Sequence, residues 1–153
     1  LVVFFFLPFI GGCTGSTTGG IKIFRWKILC AVALVQLKRL RHPHGIFTPT
    51  YNGKAIENSV IHSIVGFFVL FMMTYAAFAI ILSCFELDFL TSLSAAMAAI
   101  TNLGPGLGEM VGPSETYANL PQGAKVFLSI AMLIGRLELM TFYSIFLPSF
   151  WKN

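Results

Sequence analysis

The strongest constraint on this chain is a stretch of 28 residues, positions 58–85, that contains no Asp, Glu, Lys or Arg. About 20 consecutive apolar residues are enough to cross the hydrocarbon core of a bilayer. The composition agrees, because only 10% of the 153 residues are charged, whereas soluble domains are about 25% charged. The sequence therefore predicts an integral membrane protein, with one spanning helix over residues 60–85.

The distribution of charge predicts how this helix is oriented. Seven of the ten Lys and Arg residues lie between positions 22 and 54, and four of the six acidic residues lie between positions 86 and 115. Basic residues concentrate in the cytoplasmic segments of membrane proteins. Residues 42–57, which contain two prolines and the turn dipeptide Asn52-Gly53, are therefore predicted to form a cytoplasmic linker, and residues 60–85 run outward from it.

A second charge-free segment, residues 89–108, has a different character. Its first part is rich in small residues, and its second part reads NLGPGLG, where proline and glycines do not continue a helix. A helix over residues 89–101 is too short to cross a bilayer, so we predict a re-entrant helix followed by extended chain. Irregular backbone at membrane depth must be buried in protein or line a water-filled cavity, and its carbonyl oxygens can replace the hydration shell of a cation. An ordinary glycine-rich turn is the alternative.

The last apolar segment, residues 122–147, is predicted to span the membrane back to the cytoplasmic side. It contains Arg136 and Glu138, and a charge at a helix centre costs about 2.5–3.5 kcal/mol on insertion scales. Residues two positions apart point in different directions on a helix. We therefore expect Arg136 to find its partner elsewhere, such as in the polar loop described next; a structural intramembrane ion pair is the alternative.

The first 41 residues combine an apolar run, the segment GGCTGSTTGG at positions 11–20 and a second helix-like segment. This order predicts one transmembrane helix, residues 1–41, broken within the membrane by a loop over residues 11–22. A mobile Gly/Ser/Thr loop at that depth can serve as a hinge or gate, although an interhelical loop in water fits the same pattern. A phosphate-binding loop is excluded, because Ile21 separates the last glycine from Lys22 and no Ser or Thr follows that lysine.

Four motifs, in this order, make the chain similar to a known family: GGCTGSTTGGIK, TNLGPGLG, VGP and MLIGRLELMTFYSIFLPSFW. Together they resemble the C-terminal part of the TrkH/TrkG family, the potassium-translocating subunits of bacterial Trk systems, within the Trk/Ktr/HKT superfamily. The chain begins inside a hydrophobic run without an initiator Met, so we expect it to be a fragment of a longer protein.

The resemblance implies an all-α membrane protein, in which four covalently linked helix–pore loop–helix repeats form one potassium-channel-like pore. Residues 1–41 would be the second helix of the third repeat. Residues 58–153 would be the complete fourth repeat, with its transmembrane helices at 60–85 and 122–147. The pore helix would cover residues 89–101 and the selectivity filter residues 101–105.

The resemblance also implies site residues. The filter would consist of Thr101, Asn102, Leu103, Gly104 and Pro105, with K⁺ bound by the backbone carbonyls of Asn102, Leu103 and Gly104. Arg136 would form a barrier in the pore. The gating loop would include Gly11, Gly12, Gly15, Ser16, Thr17, Thr18, Gly19, Gly20 and Lys22.

The implied function is potassium uptake rather than enzymatic catalysis. It implies a multi-pass protein of the bacterial inner membrane, homodimeric at full length, with no cofactor and no nucleic-acid partner. A nucleotide would bind only to a cytosolic TrkA-type regulatory subunit. The sequence leaves open whether transport is channel-like or a proton-coupled symport, and how well K⁺ is distinguished from Na⁺. A membrane enzyme or lipid-handling protein, with the glycine loops as a substrate pocket, and a purely structural membrane subunit are the competing interpretations.

Overall fold

The computed structural model describes residues 11–12, 19–42, 45, 47–108, 110–113, 115–146 and 148–151. Within these residues the chain forms five α-helices and one small hairpin, which confirms the predicted all-α class. The helices are α1 (Ile23–Arg41), α2 (Asn58–Ser83), α3 (Phe89–Thr101), α4 (Gln122–Arg136) and α5 (Leu139–Phe146). Strands β1 (Thr50–Tyr51) and β2 (Lys54–Ala55) form the hairpin, and 3₁₀ turns cover Tyr117–Asn119 and Pro148–Trp151.

Helix α2 is the long apolar helix of the described chain. In the described ranges it alone is long and apolar enough to cross a membrane, and α4 with α5 would supply a second crossing if they count as one broken span. It begins two residues before the predicted span of 60–85 and ends two residues before its predicted end. Its buried side includes Phe67, Phe71 and Leu82, and these residues belong to the hydrophobic core.

Helix α3 occupies the centre of this core and packs against both α2 and α4. Ten of its 13 residues are buried, including four alanines whose small side chains let the neighbouring helices approach closely. Its bounds coincide with those predicted for the pore helix. Helix α3 is too short to span a bilayer. It is instead enclosed by the neighbouring helices.

The prediction of a single continuous helix over residues 122–147 is wrong. The segment forms α4 and α5, which meet at an angle of 103°. Between them, Glu138 has a left-handed backbone conformation with φ 61°, which costs a non-glycine residue about 1–2 kcal/mol. Its carbonyl accepts the amide hydrogen bond of Phe142 and thereby starts α5. Leu137 and Glu138 themselves can continue a helix, and Gly135 just before them is only a weak signal for a bend.

The linker between α1 and α2 contains the β1–β2 hairpin. Asn52 and Gly53 have φ angles of 48° and 78°, and two consecutive positive φ angles at an Asn-Gly pair are typical of a type I′ hairpin turn. The Arg39 guanidinium donates a hydrogen bond to the carbonyl of Phe47 over 2.9 Å. The linker is therefore attached to the basic end of α1.

Candidate functional site

The candidate site lies where α3 ends. The amides of Asn102 and Leu103 bond to the carbonyls of Ala99 and Ala98 over 3.2 and 3.0 Å, and Asn102 is left-handed with φ 55°. These are the bonds of a Schellman cap, which ends a helix abruptly. The C-terminal end of a helix carries partial negative charge and favours a nearby cation. The predicted filter, residues 101–105, starts at this end.

The chain after α3, residues 102–108, is non-helical, and the protein holds it at several points. The Gly106 amide donates to the Val111 carbonyl over 2.8 Å, and the Ser94 hydroxyl donates to the Leu107 carbonyl. Gly108 lies so close to Thr91 that an added Cβ would overlap the threonine hydroxyl. The stretch after α3 is therefore irregular backbone packed against protein, as its glycines and proline predicted.

Within the predicted filter, Gly104 has a backbone conformation that favours glycine. Its φ is +101°, and an added Cβ would meet no atom within 4 Å. Glycine is therefore required here by the backbone angle rather than by crowding. The Gly104 carbonyl accepts a hydrogen bond of 2.6 Å from the Tyr117 hydroxyl.

Tyr117 was not singled out by the sequence, because a tyrosine between two helices has no characteristic spacing. It lies outside the spanning helices, in the 3₁₀ turn that precedes α4, and is half-buried. Burial raises the pKa of the Tyr117 phenol above its usual range. The hydroxyl therefore keeps its proton and remains a donor to Gly104.

Two further glycines bring other predicted elements to the end of α3. A Cβ on Gly135, the penultimate residue of α4, would overlap the Ile100 carbonyl oxygen. A Cβ on Gly19 would lie 2.8 Å from the Thr101 carbonyl oxygen. In addition, the Asn102 side-chain amide donates to the Met132 carbonyl over 3.2 Å. The structure thus places the start of the predicted filter, the end of the predicted gating loop and α4 in direct contact.

The two ends of the predicted gating loop lie against each other. Gly11 has φ +66°, and its added Cβ would overlap the Ile21 carbonyl oxygen. The Ile23 amide donates to the Gly12 carbonyl over 3.3 Å, and Ile21 is fully buried. Residues 11–12 and residues 21–23 are therefore in contact at the edge of the core. Gly15, Ser16, Thr17 and Thr18 lie outside the described residues, as do residues 1–10.

An ion pair joins this loop to the bend between α4 and α5. The Lys22 ammonium lies 2.5 Å from a Glu138 carboxylate oxygen, and Arg25 also interacts electrostatically with Glu138. The Arg25 guanidinium stacks over Phe67 of α2, 3.7 Å from its ring centroid. The sequence does not indicate that Lys22 is the partner of Glu138, because 116 positions separate these two residues.

Arg136 is the last residue of α4 and follows directly on Gly135. Its side chain is exposed on the described chain. The residue before it, Gly135, is the one that approaches the end of α3. Its role as a barrier stays a prediction.

Comparisons with known proteins identify relatives of the whole chain. The TrkH family, described as cation transport protein, matches residues 1–152. The potassium uptake protein TrkI of Halomonas elongata is 44% identical over 152 residues, and TrkH of Vibrio parahaemolyticus is 36% identical over the same number. Each comparison covers 99% of this chain and 31% of the relative.

A solved structure gives the same result for the fold. The crystal structure of the potassium transporter TrkH from Vibrio parahaemolyticus superimposes with a TM-score of 0.87 at 35% identity. The match covers 99% of this chain and 32% of that structure. The predicted membrane-protein fold is therefore confirmed, and the chain spans about a third of the length of the relatives that it matches.

Proposed function

The chain belongs to the TrkH family of cation transport proteins, and from this premise we propose that it forms part of the pore of a bacterial potassium uptake system. The observation that carries the proposal is the irregular segment 102–108, which is held at the C-terminal end of the buried helix α3. Relatives named as potassium uptake proteins support K⁺ as the transported ion.

In the proposed mechanism, K⁺ enters from the outer side of the inner membrane and exchanges its water shell for backbone oxygens. On this chain those oxygens belong to Asn102, Leu103 and Gly104. The negative end of the α3 dipole lies directly before them and compensates part of the cost of dehydration. This chain supplies one filter strand, and three further strands of the full-length protein complete the site.

The proposed gate lies next to the filter. Gly19 contacts the end of α3, so the loop over residues 11–22 would narrow the path on the inner side of the ion site. Arg136 would add a fixed positive charge, which repels a passing cation strongly where water is scarce. Movement of the loop would open the path.

We propose that regulation comes from the cytoplasmic side. The basic residues near the linker would contact a TrkA-type nucleotide-binding subunit, and the full-length protein would be a homodimer in the inner membrane. Four of these residues lie at the end of α1 or in the hairpin: Lys38, Arg39, Arg41 and Lys54.

Replacement of Gly104 by serine in the full-length protein tests the ion site. A serine has room at this position but is disfavoured at φ +101° by about 1–2 kcal/mol. The protein should still assemble, whereas the filter backbone should shift and the preference for K⁺ over Na⁺ should fall by about tenfold, the factor that corresponds to 1.4 kcal/mol. The measurement is competition of Na⁺ with K⁺ for uptake in potassium-limited cells.

Gly53→Ser is the matched control for this experiment. Gly53 also has a positive φ, +78°, and open space beside it, but it lies in the linker hairpin. The control should leave ion competition unchanged. If Gly104→Ser also left it unchanged, Gly104 would not belong to the filter.

Removal of the Arg136 charge tests the gate. Arg136→Ala, or deletion of residues 15–19, should raise the K⁺ flux of the closed transporter by about tenfold, which equals a barrier lower by about 1.4 kcal/mol. Tracer flux into proteoliposomes that contain the full-length protein measures this change, with Lys27→Ala, which removes an exposed cation of α1, as control. Unchanged flux and unchanged regulation in both variants would contradict the gate assignment.

Growth of a potassium-uptake-deficient strain distinguishes potassium transport from the competing functions, a structural subunit or a membrane enzyme. The full-length gene should restore growth of a strain without potassium uptake systems at limiting K⁺. Correctly inserted protein that fails to restore growth would favour a structural subunit or a membrane enzyme.

A further inference from the structure

We propose that Tyr117 is a positioning residue that holds the Gly104 carbonyl and thereby sets the selectivity of the filter. The inference rests on the proposed function, since it concerns the same ion site. It adds a residue that lies outside the filter and outside the gating loop.

The contact itself is specific. The Tyr117 hydroxyl donates to the Gly104 carbonyl over 2.6 Å, within the distance range of a strong O–H···O bond. The space beside the Gly104 Cα is open, because an added Cβ would meet nothing within 4 Å. Side-chain packing on that side therefore does not hold the backbone of Gly104, whereas the hydrogen bond from Tyr117 restrains its carbonyl directly.

Tyr117 can act in this way because its own position is fixed. Its ring packs against the hydrophobic core. The Leu120 amide bonds to the Tyr117 carbonyl over 3.3 Å, and Leu120 is buried. The Lys125 ammonium, in the first turns of α4, donates to the Ala118 carbonyl over 2.7 Å. The turn that carries Tyr117 is thus anchored to α4. The position of the phenol therefore does not depend on the filter strand to which it donates.

A hydrogen bond to this carbonyl is compatible with ion binding. A carbonyl oxygen has two lone pairs, so one can accept the Tyr117 proton while the other faces a cation. The hydrogen bond restricts rotation of the peptide plane between Gly104 and Pro105. Discrimination between K⁺ and Na⁺ depends on the number, spacing and field of such oxygens, and a peptide that rotates freely would adapt to the smaller ion.

The test uses Tyr117→Phe in the full-length transporter, which removes the hydroxyl and keeps the ring. The ratio of K⁺ to Na⁺ uptake should fall by about three- to tenfold, the size of effect expected from one hydrogen bond, while uptake at saturating K⁺ is retained. A ratio of two fluxes does not depend on how much protein reaches the membrane. A role in folding alone would therefore leave it unchanged.

Tyr143→Phe is the matched control. The Tyr143 hydroxyl also makes a hydrogen bond, of 2.9 Å to the Thr74 hydroxyl, but this bond joins α5 to α2 away from the filter. The control should leave the flux ratio unchanged. Tyr117→Trp serves as a second variant, because its indole N–H can still donate; a ratio closer to wild type than that of Tyr117→Phe supports the inference, and an equal loss contradicts it.

Comparison with Gly104→Ser separates two kinds of failure. If Tyr117→Phe keeps the wild-type flux ratio while Gly104→Ser changes it, the positioning role is overturned and the filter stands. If neither variant changes the ratio, the ion site itself has been placed wrongly.

Discussion

Full-length protein that carries Gly135→Ala should be markedly less stable and should reach the membrane in lower yield, with most of its potassium uptake lost. The added Cβ would overlap the carbonyl oxygen of Ile100 and lie 2.8 Å from the carbonyl carbon and 3.0 Å from the Asn102 side-chain nitrogen. The obstacle is backbone in the middle of the core, which cannot rotate away as a flexible side chain can. Overpacking of a dense core costs about 1–3 kcal/mol. Because this clash is with backbone, we expect Gly135→Ala to lower the stability by about 3 kcal/mol or more.

The measurement is the thermal stability of the purified full-length protein in detergent, together with its yield from the membrane. Total stabilities are about 5–15 kcal/mol, so a loss of about 3 kcal/mol should lower both. Gly66→Ala in α2 is the control, because its added Cβ would meet only the end of the Met140 side chain at 3.9 Å. Alanine also has the higher helix propensity, by about 1 kcal/mol. Equal stability of the two variants would show that α4 does not approach α3 this closely in the complete protein.

Local sequence patterns predicted the elements that depend on local physics. A charge-free apolar stretch of membrane-spanning length predicted both ends of α2 to within two residues. Small residues followed by NLGPGLG gave the bounds of α3 and the irregular chain after it, because glycine and proline end a helix whatever surrounds it. The contact of Gly19 with the backbone of α3 has no such local signal in the sequence.

Features that depend on distant contacts could not be read from the sequence. The bend between α4 and α5 occurs at Leu137 and Glu138, residues that can continue a helix. What distinguishes Glu138 is its ion pair with Lys22, from a segment 116 positions earlier. The bond between Tyr117 and Gly104 likewise joins two loops, and no periodic pattern connects residues in loops.

Reversal of the charge at position 138 should release the gating loop. Glu138→Lys would place a third cation beside Lys22 and Arg25, in place of the carboxylate that both now face. Two like charges 4 Å apart repel by about 4 kcal/mol at an effective dielectric constant of 20. That figure is an upper bound here, because the Glu138 side chain is 51% exposed and the Lys22 side chain 18% exposed on this chain. The end of the loop should separate from the α4–α5 bend, and K⁺ should leak through the closed transporter.

Tracer flux through full-length protein in vesicles measures the leak, and the regulatory subunit should no longer control it fully. The double variant Lys22→Glu with Glu138→Lys restores one cation and one anion at this contact, so it should recover most of the wild-type closure. Glu57→Lys, which makes the same change of charge before α2, should have little effect. The double variant differs from Glu138→Lys only in the charge at position 22. If it closes like the wild type, the attraction between the side chains at positions 22 and 138 is what keeps the transporter closed. A double variant that leaks as much as the single one would instead assign the leak to a requirement for Glu138 in forming the bend itself.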